Sequence, residues 1–340
     1  MKDKVISSLP IIVWRKARLN TENSMLVTSP SALKLGRSYF AQKIPKNILH
    51  ITNSDYAYVQ GLVARKPKNS IDTLYLLGGG QVIDVGRYLA YKWHVKAVAI
   101  PTIISTDAFL VDCTGLRKDG CVTYVESKKA DRVILDWNLI SKTPWRFQVS
   151  GCGDVLSIFT GLYDWAYANR SHNAEPDEIY DKSLAMVAES ILKGLLENKE
   201  VISSKSKEGI EKLVEALALE VQLCYFYGNS RPEEGGEHFF TYCIENLTDH
   251  FLHGEMVGFS TLLTGFLQGQ DITKILNFMS FVDMPYFPQG LTKKLVIKTL
   301  RELPQYVEKH SLRYSVYNNF EYMDKQKDVD SFFEIICMNA

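Results

Sequence analysis

The sequence is poor in cysteine, has no excess of either charge and contains no long hydrophobic run. Its six cysteines are widely spaced and form no Cys-x-x-Cys pair, so a disulfide scaffold is excluded and a reducing, cytoplasmic location is expected. Lys plus Arg and Asp plus Glu both total 39, so no global field holds a nucleic acid or an anionic membrane. Nowhere do about 18 apolar residues run together, so we expect no membrane span, and the short N-terminal apolar run indicates no export signal.

The length and composition predict a globular protein of two domains. The chain has 340 residues, which is longer than a single hydrophobic core usually supports. Hydrophobic residues make up 46% and charged residues 23%, which excludes bulk disorder.

Short apolar or β-branched runs alternate with helical stretches over residues 1–145, which predicts an α/β domain with a parallel sheet. Ligands of such sheets bind beyond the carboxyl ends of the strands. The predicted strands are Met25–Thr28, Asn47–Ile51, Thr73–Leu77, Ala97–Ile100 and Val133–Leu135.

From residue 146 to residue 340, apolar residues recur at helical spacing and strand patterns nearly vanish, which predicts an all-α domain. One predicted helix carries Tyr180, Leu184, Val187, Ile191 and Leu195 on one face. Ser206 is placed to cap the next helix and Gly228 to end it.

A glycine triplet, Gly78, Gly79 and Gly80, follows the predicted strand Thr73–Leu77 and precedes a predicted helix. Residues without side chains let the backbone approach a pyrophosphate, and a helix N-terminus favours negative charge. The triplet is therefore a candidate phosphate site, although it is also simply a tight strand-to-helix connection. Asp84 is interpreted as a cofactor contact or as a first-turn charge that the helix dipole favours.

Three residues of the second half are candidate metal ligands: Asp154, His238 and His253. Two neutral imidazoles and one carboxylate suit Zn²⁺, or Fe²⁺ where geometry allows, and leave a coordination position for substrate. The alternatives are that Asp154 caps a helix and that the histidines are structural, since spacing alone does not bring the three together.

The motifs, taken in order, resemble those of the metal-dependent polyol dehydrogenases related to glycerol dehydrogenase and sn-glycerol-1-phosphate dehydrogenase, and more distantly dehydroquinate synthase. The resemblance covers about residues 24–270 and rests on Gly78–Asp84, Pro101–Asp107, Gly151–Asp154, Arg231–His238 and Leu252–Glu255. It implies a dehydroquinate synthase-like fold, with a Rossmann-like NAD(P)-binding domain followed by a helical domain that binds metal and substrate, and an active site in the cleft between them.

The resemblance also implies roles for individual residues. Gly79, Gly80 and Gln81 would face the pyrophosphate, Thr102 and Ser105 would contact the cofactor, and Asp107 would contact a substrate hydroxyl. Asp154, His238 and His253 would be the metal ligands, and the chemistry of this donor set favours zinc over iron. Ser29 stands where relatives often place an Asp against the adenine ribose, so NADP is permitted as well as NAD.

Several positions depart from the family pattern. Tyr242 stands where relatives commonly have a second histidine, which alters a proton-relay or substrate group. Val111 replaces a small hydroxyl residue, and Arg87 replaces a lysine, which keeps the charge but changes its geometry. Arg117 and Arg231 are candidates for a substrate phosphate, with exposed or paired arginines as the alternative.

Together these features predict an NAD(P)-linked oxidoreductase that acts on the CH–OH group of a small polyol, phosphorylated or not, or on its ketone, with Asp107 and Tyr242 in the catalytic site. Relatives commonly self-associate, so a homo-oligomer is expected. The alternatives are a sugar-phosphate cyclase or lyase resembling dehydroquinate synthase, and a noncatalytic relative that binds nucleotide.

Overall fold

A computed structural model describes residues 6–41, 43–67, 71–248 and 251–338. The chain divides into two compact units. Of the described residues, those from Leu9 to Gln148 form one unit, and those from Val149 onward, together with residues 6–8, form the other. An α/β unit followed by a helical unit confirms the predicted fold class. The predicted domain boundary after residue 145 falls at the short helix that the division cuts.

The Leu9–Gln148 unit contains a six-stranded sheet in which every neighbouring pair is parallel. Its order is β1-β8-β5-β4-β2-β3, and β6 and β7 form a separate antiparallel hairpin. The strands are β1 (Ile12–Trp14), β2 (Ser24–Thr28), β3 (Asn47–His50), β4 (Thr73–Gly78), β5 (Lys96–Pro101), β6 (Cys113–Lys118), β7 (Cys121–Glu126) and β8 (Arg132–Leu135). All five predicted strands are present, whereas β1 and the hairpin were not predicted.

Helices accompany this sheet, as the alternating pattern predicted. They are α1 (Pro30–Tyr39), α2 (Tyr56–Val63), α3 (Gly80–Trp93) and α4 (Trp137–Ile140). A core cluster joins Leu26, Leu77, Ile100 and Ile134 of the central strands to Leu33 of α1. Because both faces of the central strands are covered, the sequences of these strands are continuous apolar runs.

The regular elements of the second unit are all helices among its described residues. After α5 (Trp145–Val149) come α6 (Cys152–Leu156), α7 (Ile158–Arg170), α8 (Lys182–Glu197), α9 (Lys199–Ser203), α10 (Lys207–Tyr227), α11 (Gly236–Leu247), α12 (His253–Leu267), α13 (Thr273–Phe281), α14 (Lys293–Lys309) and α15 (Tyr322–Met338). Most residues of α12 are buried, as expected of a helix at the centre of a bundle.

The predicted ends of α10 are confirmed. The Ser206 hydroxyl accepts a hydrogen bond from the Gly209 amide, and Gly228 ends the helix at φ 112°, a left-handed conformation that favours glycine. Among the described residues, no helix combines the length and the apolar character that crossing a bilayer requires.

Candidate metal centre

Asp154, His238 and His253 converge within the helical unit. Asp154 lies in α6, His238 in the first turn of α11, and His253 is the first residue of α12. One ligand atom from each lies within 4.8 Å of those of the other two. Asp154 and His238 are each 7% exposed, and His253 is partly buried. Segments that are 84 and 99 residues apart in the sequence, from position 154 to positions 238 and 253, therefore meet at one point.

A close backbone approach between α6 and α12 makes this convergence possible. A Cβ atom added to Gly153 would lie 2.1 Å from the carbonyl oxygen of Gly254. Only glycine at position 153 therefore allows the segment that carries Asp154 to lie this near to the start of α12. The helix-cap interpretation of Asp154 is wrong, because Gly151 occupies the N-cap position of α6.

Each histidine is hydrogen-bonded to a glutamate that the sequence analysis missed. His238 Nδ1 lies 2.9 Å from Glu237 Oε1, and His253 Nδ1 lies 2.9 Å from Glu245 Oε1. Burial alone would lower the pKa of His238, but the hydrogen bond and charge of Glu237 raise it to about 10. Burial is likewise outweighed at His253, where Glu245 raises the pKa. The surroundings of both imidazoles thus favour a positive charge.

Tyr242, predicted to be catalytic, lies beside the two histidines. Its ring stacks on that of His253 with centroids 6.3 Å apart, and its hydroxyl donates to Glu234 Oε1 at 3.0 Å. Burial alone would raise the pKa of Glu234, but Arg313, His238 and hydrogen bonds from Ser230 and Tyr242 together lower it. Glu234 therefore remains a charged acceptor that fixes the Tyr242 hydroxyl.

The donor set fits a divalent cation. One carboxylate and two imidazoles are ligands that zinc and iron both accept, and three protein ligands leave a position for substrate. Carboxylates on the far nitrogen of a ligating imidazole are the usual outer partners of such sites. Acidic groups around the ligands match the charge of the cation.

The predicted phosphate turn has the expected local structure. β4 ends at Gly78, Gly79 is the N-cap residue of α3, and Gly80 begins that helix. Gln81 is exposed in the first turn. A Cβ atom on Gly80 would lie 2.7 Å from the Thr106 hydroxyl oxygen, so the turn also packs closely against the segment after β5. A helix N-terminus at the carboxyl edge of a parallel sheet is suited to an anion.

The other predicted cofactor and substrate contacts lie at the same edge. Ser29 follows β2 and caps α1, because its hydroxyl accepts from the Ala32 amide at 3.3 Å. Thr102, which directly follows β5, is buried and its amide donates to the Gly78 carbonyl at 3.0 Å. Ser105 and Asp107 are partly buried in the loop that follows. Their roles toward a ligand remain predictions.

The contacts of two arginines decide between interpretations that the sequence left open. Asp84 is not a first-turn charge of α3, because it lies in the second turn and pairs with Arg87. Arg231 is fully buried, donates to the Tyr314 carbonyl at 2.6 Å and lies 3.7 Å from Glu178. It is therefore the paired arginine of the two alternatives, rather than a phosphate ligand.

Comparison with known proteins identifies the family. Residues 24–144 match the family model described as iron-containing alcohol dehydrogenase. The glycerol-1-phosphate dehydrogenase [NAD(P)+] of Methanococcoides burtonii is 30% identical over 245 residues, which are 70% of this chain and 68% of the relative. The chain belongs to the metal-dependent polyol dehydrogenase family.

Further matches extend over most of this polyol dehydrogenase. The glycerol-1-phosphate dehydrogenase [NAD(P)+] of Thermococcus sibiricus is 27% identical over 84% of this chain and 80% of its own. The crystal structure of glycerol dehydrogenase from Schizosaccharomyces pombe superposes with a TM-score of 0.68 at 17% identity and covers 98% of this chain and 91% of its own. At that identity the likeness shows a shared fold.

Proposed function

We propose that this polyol dehydrogenase is an NAD(P)-linked, metal-dependent oxidoreductase that interconverts glycerol 1-phosphate, or a similar small polyol, and its ketone by hydride transfer. The observation that carries the proposal is the convergence of Asp154, His238 and His253. The names of the relatives, which are glycerol-1-phosphate dehydrogenases, supply the first substrate to try.

The residues have distinct roles in this proposal. Asp154, His238 and His253 hold one divalent ion, zinc rather than iron, and the turn at Gly78, Gly79, Gly80 and Gln81 holds the pyrophosphate of NAD or NADP. Ser29, Asp84, Thr102 and Ser105 contact the cofactor in this proposal. An ion held by Asp154, His238 and His253 would supply a Lewis acid for a substrate oxygen, and a nicotinamide cofactor would supply the hydride donor or acceptor.

Asp107 and Tyr242 act on the substrate itself. Asp107 carries a carboxylate that accepts a hydrogen bond from a neighbouring substrate hydroxyl and so fixes which carbon reacts. The Tyr242 ring lies beside His238 and His253. The hydrogen bond from its hydroxyl to Glu234 fixes its position, so that it orients a substrate hydroxyl near the metal ligands. Both groups orient a polyol, which carries several hydroxyls, better than a simple alcohol.

The test combines metal analysis with a turnover screen on one sample. We expect about one zinc or iron per chain, and oxidation of reduced nicotinamide with dihydroxyacetone phosphate or a related ketone. His253→Ala should lose both the metal and turnover, whereas His50→Ala, at an exposed position in β3, should lose neither. Full metal occupancy in the His253→Ala protein contradicts the assignment of the ligands.

Two further outcomes separate the alternatives. Tightly held NAD with phosphate release and no net absorbance change would indicate the cyclase, which the relatives do not favour. Metal and cofactor binding without turnover over a broad alcohol and ketone screen would indicate a noncatalytic relative. We also propose that the protein is cytoplasmic and forms a homo-oligomer. Light scattering of the purified protein measures its oligomeric state.

A further inference from the structure

We propose that Glu237 and Glu245 are positioning residues that set the orientation and tautomer of both histidines, so that each presents Nε2 to the same cation. This inference rests on the proposed function, because it concerns the metal that Asp154, His238 and His253 would hold. It assigns a role to two carboxylates that the proposed chemistry does not otherwise use.

The Glu245–His253 pair joins the end of one helix to the start of the next. Glu245 lies in the last turn of α11, and His253 is the first residue of α12. Glu245 Oε1 is 2.9 Å from His253 Nδ1, and the glutamate side chain is only 8% exposed while that of His253 is 33% exposed. The better buried carboxylate therefore holds the more exposed ring.

The Glu237–His238 pair is held more firmly. Neighbouring residues on a helix do not ordinarily face each other, yet Glu237 Oε1 lies 2.9 Å from His238 Nδ1. The Glu237 carboxylate also accepts from the Gly235 amide at 2.6 Å and from the Thr160 hydroxyl at 2.7 Å. Contacts from α7 and from the residue before α11 thus turn this carboxylate toward the ring.

The chemistry of the two groups decides the tautomer. An ionised carboxylate accepts hydrogen bonds and donates none, so the proton of each contact belongs to Nδ1 of the histidine. A neutral imidazole that carries its proton on Nδ1 has its lone pair on Nε2, which is then the metal-binding atom. The rings of His238 and His253 lie 5.8 Å apart between centroids, so both lone pairs can serve one site that Asp154 completes.

Two variants at Glu245 test this inference. Glutamine is nearly the same size as glutamate, but its side chain can donate a hydrogen bond as well as accept one. Its amide can accept from Nδ1–H through oxygen or donate to a bare Nδ1 through nitrogen, so Glu245→Gln no longer selects one tautomer. We expect Glu245→Gln to weaken zinc or cobalt binding by about 10- to 100-fold and Glu245→Leu to weaken it at least as much. Glu197→Gln, at a side chain that is 67% exposed on α8, is the matched control and should leave the affinity unchanged.

Two readouts are made on the full-length protein. Affinity for the metal is measured by competition with a chelator, after the fold of each variant has been checked by circular dichroism. NMR of the histidine ring nitrogens in cadmium-loaded, isotope-labelled protein then shows which nitrogen binds the ion. Coordination of wild type through Nε2 of both histidines, with a protonated Nδ1, is the expected result.

The outcomes distinguish this inference from the proposed function. If wild type binds no divalent metal at this site, the proposed function fails and the positioning role fails with it. If wild type binds the metal but Glu245→Gln binds it equally well, or if Nδ1 is the coordinating atom, only the positioning role is wrong. Should Glu245→Leu not fold, the nearly isosteric glutamine variant still decides the question.

Discussion

Gly153 determines how near Asp154 can lie to the start of α12. Its hydrogen faces the backbone of Gly254, at a place where a methyl group would need space already occupied by a carbonyl oxygen. Backbone atoms cannot rotate away as a flexible side chain can. A larger residue at position 153 must therefore move α6 relative to α12, and with it one of the three candidate ligands.

We expect Gly153→Ala to weaken metal binding strongly and to destabilise the helical unit by about 1–3 kcal/mol, as overpacking of a tight contact does. Gly194→Ala is the matched control, because a Cβ atom there would meet nothing within 4 Å and the residue lies inside α8. The control should stabilise α8 by about 0.5–1 kcal/mol. Zinc titration and thermal unfolding check both variants, and unchanged metal affinity in Gly153→Ala would show that the close approach does not matter.

Local sequence patterns pointed to the three candidate ligands but not to the carboxylates that contact them. Asp154, His238 and His253 were predicted as ligands because each carries a recognised ligand group within a glycine-containing motif, and the structure brings the three together. Glu245 was missed because its importance depends on a contact with a residue of the following helix. Its position two turns after His238 on the same helix face is the one local pattern that could have indicated it.

Arg87 connects the helix after the glycine turn to both ends of the β6–β7 hairpin. It is completely buried, and its Nη1 donates to the carbonyls of Val111 at 2.6 Å and Lys128 at 3.1 Å. Its Nη2 donates to the Cys113 carbonyl at 2.7 Å and pairs with Asp84. The planar guanidinium reaches four acceptors at once, which a lysine ammonium cannot do in this arrangement.

We expect Arg87→Lys to destabilise the Leu9–Gln148 unit by about 1–3 kcal/mol, because buried acceptors lose their donors. Arg87→Met should cost more, about 3–5 kcal/mol, since Asp84 then lacks its buried partner. Chemical denaturation measures the stability, and amide hydrogen exchange of β6 and β7 should show loss of protection confined first to the hairpin. Arg65→Lys, at an exposed position of the same unit, is the control. Equal protection of the hairpin in wild type and Arg87→Lys would contradict this role.

Elements were predicted well where their sequence pattern was local and regular. Four of the five predicted strands are largely buried apolar runs, which a parallel sheet covered on both faces requires, whereas the edge strand β3 is exposed at both ends. The hairpin was missed because Gly115 and Arg117 interrupt its apolar pattern, although Asp119–Gly120, with φ of 53° and 81°, is a typical hairpin turn pair. Val187 was assigned to the apolar face of α8 but is 46% exposed, because Ala185 and Ala188 pack there instead.

Over the whole chain, the order of motifs predicted the family and the fold class, whereas contacts of distant segments had to be observed. No motif marks the last 70 residues, yet Arg313 reaches Glu178 at 2.9 Å and the Val316 amide donates to Asp164 at 3.0 Å. Such contacts depend on how helices far apart in sequence pack, which local spacing does not encode. The helical unit thus depends on its C-terminal segment to support residues near the candidate ligands.

The stability that Asp164 contributes to the helical unit depends on pH. This residue lies in α7, is fully buried, and accepts from the Gly236 amide at 2.8 Å and from the Val316 amide. Burial, with a smaller contribution from the charge of Glu237, raises the pKa of Asp164 from 3.8 to about 7. Between these values the folded protein retains a proton that the unfolded chain has released, so the folded state is favoured at low pH.

We therefore expect Asp164 to contribute stability that is complete below about pH 4 and lost as the pH rises to about 7, with a slope approaching 1.4 kcal/mol per pH unit. Asp164→Asn cannot titrate, so the difference in unfolding free energy between wild type and this variant should shrink steadily across that range. Urea unfolding in a chelator, which keeps the charge of any metal out of the comparison, measures the difference at several pH values. Asp328→Asn, at a side chain that is 48% exposed, should instead run parallel to wild type. If Asp164→Asn also runs parallel, then Asp164 is ionised throughout, and its contacts with α11 and residue 316 are those of a carboxylate at every pH tested.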